Sequence, residues 1–272
     1  MNIRLARIAV IAFILTVVLV PIYWLATTSL KSNREITQEG TLYPHAPTID
    51  NYLRLFSEKN FGAYLTNSLV VTAASVSIAL VLGTLGAYAI ARFRLRFGLE
   101  HKIGLLLLTL RIVPPVVILI PVYLLMLRLG LLNKWLGLII TYTAFNITLC
   151  VWMMESFFRE IPVDLEEAAM VDGDSRFGAF RRITLPLAAP GMAATAIFAV
   201  IVTFNEFMFA LALTATPKAM TMPRGTATLI GRIDTDWASM AAAGMIGALP
   251  IVIFALLVQR HLVRGLTMGA VK

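Results

Sequence analysis

Residues 166–191 read EEAAMVDGDSRFGAFRRITLPLAAPG. The stretch is acidic at its start and basic near its end, and two prolines, Pro186 and Pro190, close it. Long runs with almost no charge flank it. The preceding run, Trp135 to Met154, is uncharged, and the following run, Gly191 to Thr214, holds only Glu206. Charge confined to a short segment between long apolar runs is the pattern of a polar loop joining two membrane helices.

The bulk composition agrees. Of 272 residues, 59% are hydrophobic and 14% charged, whereas a soluble domain carries about 25% charged residues. A bilayer-spanning helix needs about 20 apolar residues. The sequence predicts six such spans, at about 8–30, 65–90, 103–127, 136–158, 191–214 and 238–260, in one domain covering 1–272. The expected fold is an all-α integral membrane protein with both termini cytoplasmic. The opening MNIRLAR resembles a signal-peptide n-region, but the apolar run is longer than a signal core and no A-x-A site follows, so it reads as a retained helix. The net charge of +8 is assigned to loops flanking spans rather than to nucleic-acid binding. The short loop ARFRLRFGLEHK, counting Arg92, Arg94, Arg96 and Lys102, carries the clearest cytoplasmic bias.

Several chemistries lack their residues. Cys150 is the single cysteine, so no disulfide forms within the chain. The sequence contains neither a Cys/His metal spacing nor a G-x-x-x-x-G-K-[ST] phosphate loop. His45, His101 and His261 lie far apart in sequence and form no catalytic set. The expectation is therefore no catalytic residue, no metal and no cofactor bound by this chain.

Within 159–190, Pro162 suits a first helical turn, and Asp164, Glu166 and Glu167 oppose the positive end of a helix dipole. Gly173 ends that helix at a position able to take positive φ. Asp174 is the expected cap of a second short helix, which carries Phe177 and Phe180 on one side and Arg181 and Arg182 near its end. The loop thus reads as a helix–turn–helix on the cytoplasmic face, either inserted in a partner's groove or lying on lipid.

The same residues carry a resemblance. Glu167-Ala168-Ala169, then Gly173, then Ile183-Thr184-Leu185-Pro186 match E-A-A-x3-G-x9-I-x-L-P at every fixed position and both spacings. This resembles the EAA loop of ABC importer permeases. The segments NSLVVTAASVSIALVLGTLGAYAIARFR, RIVPPVVILIPVYLLMLRLGLLN, FNEFMFALALT and QRHLVRGLTMGAVK are similar to those of maltose-type carbohydrate permeases. The resemblance implies a type I ABC importer permease fold and a multi-pass position in a prokaryotic cell membrane. It implies a coupling helix, with Glu166, Glu167, Ala168, Ala169, Met170, Asp172, Gly173, Leu185 and Pro186 as the ATPase-coupling residues. Its implied partners are a dimer of ABC ATPase subunits, which binds ATP and Mg, a second and different permease chain, an extracytoplasmic sugar-binding protein, and membrane lipid.

Charged groups inside spans are costly and invite a functional reading. Phe204, Asn205 and Glu206 are the candidates for the substrate path, against the simpler role of pairing within the bundle; Phe204 stands where the family more often has Trp. Phe207 and Phe209 are candidate sugar-stacking rings or packing residues. Arg111 reads as structural, and Glu155 as solvated or paired. The alternatives are a polyamine or phosphate importer of the same class, a secondary transporter, for which the internal repeats are missing, and a membrane enzyme, for which the catalytic set is missing.

Overall fold

The computed structural model describes residues 3–93, 99–231 and 235–268. Among them, all regular structure is helical. Helix α1 spans Ile3–Ser29, α2 Asp50–Ser57, α3 Phe61–Arg92, α4 Leu99–Ile112, α5 Pro115–Arg128 and α6 Trp135–Glu160. Then come α7 Asp164–Val171, α8 Arg176–Ala179, α9 Leu185–Leu187, α10 Ala189–Phe204, α11 Met208–Leu213, α12 Met222–Ala227 and α13 Trp237–Met268. Single π-helical turns occupy Glu35–Glu39 and Phe180–Thr184.

Among the described residues, four helices are long and apolar enough to cross a membrane: α1, α3, α6 and α13. The other two expected spans are not continuous helices. The third is divided into α4 and α5, of 14 residues each. Pro115 opens α5, and Pro114 is extended at φ −60° and ψ 133°. Two successive prolines remove two helical N–H donors and push the preceding residue out of the helical region, so the helix breaks here rather than bending. The fifth is α10, of 16 residues, followed after a short turn by α11. At the other end of α10, the segment Arg176–Leu187 meets it at 69°.

The centre of the molecule is the α3–α6 pair, against which α10 packs on one side. Small residues allow this close approach. Gly83 touches α6 so closely that a Cβ there would lie 2.4 Å from the Cβ of Cys150. An outer cluster joins Leu55, Phe61, Tyr64, Phe204, Met220, Met222 and Leu229 to Ala242 and Ala243 of α13. An inner cluster joins Ala87, Tyr88, Ile90, Val151, Met154, Phe158, Phe180 and Ala188. Helix α1 meets α13 near its outer end, where Leu25 lies against Gly244; its apolar middle is exposed.

The loop after α1 contains the short helix α2. It is fastened by Asn51, whose buried Nδ2 donates to the carbonyls of Ser29 and Lys31 at 2.8 Å each. The segment between α11 and α13 holds the short helix α12. Arg94, Arg96, Arg232 and Lys272 lie outside the described residues, as do the side chains of His101, Arg111 and His261.

The α3–α6 contact has a direct consequence. Gly83→Ala forces a methyl into backbone-distance packing and should destabilise the fold by about 1–3 kcal/mol. Gly86→Ala, whose Cβ would meet Val151 at an ordinary 3.5 Å, should be close to neutral. Thermal unfolding in detergent distinguishes the two, and equal midpoints would contradict the packing.

Candidate functional site: the loop between α6 and α10

The loop begins where α6 ends. Pro162 lies one residue before the N-cap position, Val163, rather than in the first helical turn. Asp164, Glu166 and Glu167 occupy that first turn, where their charges oppose the helix dipole. The helix ends in a Schellman motif. The Gly173 N–H donates to the Met170 carbonyl at 3.2 Å, and the Asp174 N–H to the Ala169 carbonyl at 3.0 Å. This closure needs a left-handed residue, and Gly173 supplies it at φ +92°. A Cβ on Gly173 would meet nothing within 4 Å, so the requirement is one of backbone conformation and not of space.

The following cap differs from expectation. Ser175, not Asp174, is the N-cap of α8, its Oγ accepting the Gly178 N–H at 3.1 Å. Asp174 instead accepts the Ser175 N–H at 3.0 Å and pairs with Arg182 at 3.2 Å. Arg181 and Arg182 lie in the π-helical turn rather than at the end of an α-helix. Ala169, Asp172, Gly173, Asp174 and Arg182 line a shallow open groove on this surface.

The two glutamates of the motif face opposite ways. Glu167 is exposed, together with Asp164, Ala168 and Val171; their i, i+3/i+4, i+7 spacing makes one outward stripe. Val171 is 87% exposed. Phe177 is exposed nearby, its ring 6.1 Å from buried Phe180. Met170 and Ala169 are half-buried. Glu166 is buried, its side chain 5% exposed. The sequence reading groups it with the ATPase-coupling residues; in the structure its carboxylate points into the protein.

There it meets three donors. Arg92 Nε donates to Oε1 at 2.8 Å, Thr184 Oγ1 donates to Oε1 at 2.7 Å, and the Tyr88 hydroxyl donates to Oε2 at 2.7 Å. A second nitrogen of Arg92, Nη2, donates to the Ile161 carbonyl at 2.8 Å. Burial alone would raise the pKa of Glu166. The hydrogen bonds from Arg92, Tyr88 and Thr184 and the charge of Arg92 outweigh it, and hold the carboxyl below its ordinary value. Beneath the pair, Tyr88 stacks on Phe180 at 4.4 Å and on Phe158 at 5.7 Å.

Arg92, Tyr88 and Thr184 were not among the sequence candidates. Arg92 ends an apolar run and counts there as a loop charge, yet its side chain is 4% exposed. The available signal was the i, i+4 spacing of Tyr88 and Arg92, which puts both on one face. Leu185 and Pro186 lie in α9, at the bend before α10; Leu185 packs on the inner cluster and Pro186 is exposed. They belong to the root of the fifth span and not to the outward stripe. Glu155 is paired with Arg159 at 2.7 Å.

The substrate-path candidates separate as well. Phe204 is 3% exposed within the outer cluster, so its ring has no free face for a sugar. Phe209 is also buried, and Phe207 is exposed. Asn205 is exposed, and its Nδ2 donates back to the Ile201 carbonyl at 2.8 Å. Glu206 is half-buried and accepts from the Tyr142 hydroxyl at 2.6 Å and from the Phe209 and Ala210 N–H groups at 2.9 and 3.2 Å. It therefore caps α11 and ties it to α6. One turn along α6, Asn146 Nδ2 donates to Thr203 Oγ1 at 2.7 Å.

Comparison with known proteins places these features. The model of the family described as "Binding-protein-dependent transport system inner membrane component" matches residues 79–268. The chain is similar to the sulfoquinovosyl glycerol transport system permease protein SmoH of Agrobacterium fabrum, at 37% identity, over 93% of this chain and 89% of that protein. It is 38% identical to the trehalose transport system permease protein SugB of Mycobacterium tuberculosis, over 93% and 92%. It is 35% identical to the trehalose/maltose transport system permease protein MalG of Thermococcus litoralis, over 93% and 91%. Among solved structures, a chain of a bacterial ABC transporter involved in the import of the acidic polysaccharide alginate shares the fold, with a TM-score of 0.75 at 23% identity, covering 94% of this chain and 95% of that one.

The buried pair makes two predictions. Arg92→Ala leaves a desolvated carboxylate and should cost about 3–5 kcal/mol, whereas Arg92→Met with Glu166→Met together should recover much of that loss. The folded-state pKa of Glu166 lies below the 4.5 of a free glutamate. Its contribution is therefore complete above that value and fades as pH falls through the lower folded value. Glu166 should give the unfolding midpoint no pH dependence above about pH 5, and below it a loss that Glu166→Gln removes.

Proposed function

Because the chain belongs to the family of binding-protein-dependent transport system inner membrane components, it is a multi-pass permease subunit of an ABC importer, and we propose that its cargo is a carbohydrate, a di- or oligosaccharide. The observation that carries the cargo class is the similarity, over nearly the whole chain, to permeases named for trehalose, trehalose/maltose and sulfoquinovosyl glycerol. In this reading the chain crosses the membrane six times, α4–α5 forming the third crossing and α10–α11 the fifth.

Energy reaches the permease mechanically. ATP and Mg bind to a partner ATPase dimer, and closure of that dimer displaces α7. The outward stripe of Asp164, Glu167, Ala168 and Val171 docks in a groove of the ATPase. Ala168 keeps that face narrow, and Gly173 turns the chain sharply enough for the helix to project. A second, different permease chain completes the pathway, and an extracytoplasmic sugar-binding protein delivers the cargo. Asn205 and Phe207, exposed at the turn between α10 and α11, are the side chains of the fifth-span motif left free to face a pathway. The buried Phe204 and the tied-up Glu206 shape that turn.

Affinity purification from the chain's own membranes in mild detergent tests the assembly. The expected eluate holds an ABC ATPase, a second permease and a binding protein, and the last is then screened against trehalose, maltose and longer oligosaccharides. An eluate without an ATPase, even after crosslinking, would overturn the importer reading. A binding protein that is stabilised by a polyamine or phosphate and by no sugar would overturn the cargo. Gly173→Asp should leave the chain in the membrane and abolish uptake, since a left-handed non-glycine residue costs about 1–2 kcal/mol and disturbs the docking turn. Uptake at the wild-type rate would remove α7 from the coupling path.

A further inference from the structure

An outward stripe explains docking but not transmission. Helix α7 has eight residues, and a push on its exposed side must reach spans that lie behind it. Apolar contacts between helices can slide, whereas directed hydrogen bonds to a desolvated charge cannot shift without exposing that charge. One such set lies behind α7. The geometry points to the Glu166 carboxylate as a positioning latch that locks α7, the inner end of α3 and the root of the fifth span into one moving body. This inference rests on the importer reading.

The partners of the latch belong to more than one mechanical part. Tyr88 and Arg92 are one turn apart at the inner end of α3, and their bonds to the carboxylate measure 2.7 and 2.8 Å. Thr184, at 2.7 Å, lies in the π-helical turn just before the 69° bend into α10. The second arm of Arg92 holds the Ile161 carbonyl, where α6 ends. The carboxylate and the guanidinium are both almost wholly buried. Without the tie, the bend at Ala188 would let α10 stay in place while the loop moved. With it, α7 cannot be displaced unless α3 and the segment leading into α10 follow. Glu166 touches neither the outward stripe nor the fifth-span motif, so its effect runs through the residues it holds.

The test uses the complex purified with its ATPase from its own membranes. Cysteines introduced at Val163 and Leu82, both exposed, carry spin labels; the native Cys150 is buried. Double electron–electron resonance reads the separation of the two labels without nucleotide and with ATP, Mg and vanadate. In the wild-type background one distance is expected in both states. In Glu166→Gln, ATP and vanadate should add a second population displaced by roughly 2 Å or more, the scale of helix shifts at interfaces, while the nucleotide-free state keeps one. Tyr88→Phe, which removes one of the two bonds from α3 and leaves the Arg92 pair intact, should show a smaller displacement, and it carries the test if Glu166→Gln does not assemble. A wild-type distance that changes with nucleotide, variants that match wild type, or broadening that is equal in both states would each overturn the latch. If an ATPase is present, the latch then fails alone. If no ATPase accompanies the wild-type chain, the importer reading has failed and the latch falls with it.

Discussion

A carboxylate taken out of water has to be met by charge and by donors, and the fold around α7 is arranged to meet that of Glu166. The cost of desolvating it is offset by Arg92, Tyr88 and Thr184. A buried pair of this kind adds little net stability compared with apolar residues of the same shape. What it fixes is orientation. With Glu166 pointing inward, the helical period leaves no choice about which residues of α7 point outward. The acidic and small residues of the stripe are presented because a neighbouring side chain is pinned. The aromatic stack of Tyr88, Phe158 and Phe180 keeps water from the pair, so the polar link and its apolar surroundings depend on each other.

A second polar set, in the middle of the molecule, follows the same rule with different means. Glu206 is satisfied by Tyr142 and by the N–H groups that open α11, and Asn146 by Thr203 and the Tyr142 carbonyl. Both sets join α6 or α3 to the fifth span. The α3–α6 pair is close-packed through small residues, whereas the fifth span adds polar bonds before its bend and at its far end to the apolar packing of α10.

Much of this was legible in the sequence, and the remainder was hidden for particular reasons. Long uncharged runs fixed the helical class, and the need for a left-handed residue made Gly173 readable as a helix end. Arg92 misled because a cation at the end of an apolar run looks the same whether it enters water or turns back to a partner 74 positions away. Glu166 and Glu167 are adjacent and chemically identical, and only the three-dimensional position of α3 assigns one to the interior. Phe204 stands beside polar residues and so resembles a pathway residue; its burial comes from α2 and the 220–229 segment, which are remote in sequence. The cap fell to Ser175, which has the extended backbone of an N-cap residue, while Asp174 still closes the end of α7. The division of the third span was present in Pro114-Pro115, but sequence alone does not distinguish a bend from a break.

That break changes what the third span can be. The carbonyls of Leu110 and Arg111 would each accept an N–H four residues on, and those positions are Pro114 and Pro115, which have none. Bare carbonyls do not persist against hydrocarbon; irregular backbone at membrane depth survives only beside protein or water. Wherever the junction of α4 and α5 lies at membrane depth, its backbone therefore needs protein or water beside it. That need is set by chain connectivity rather than by any ionisable group, so it is the same at every pH.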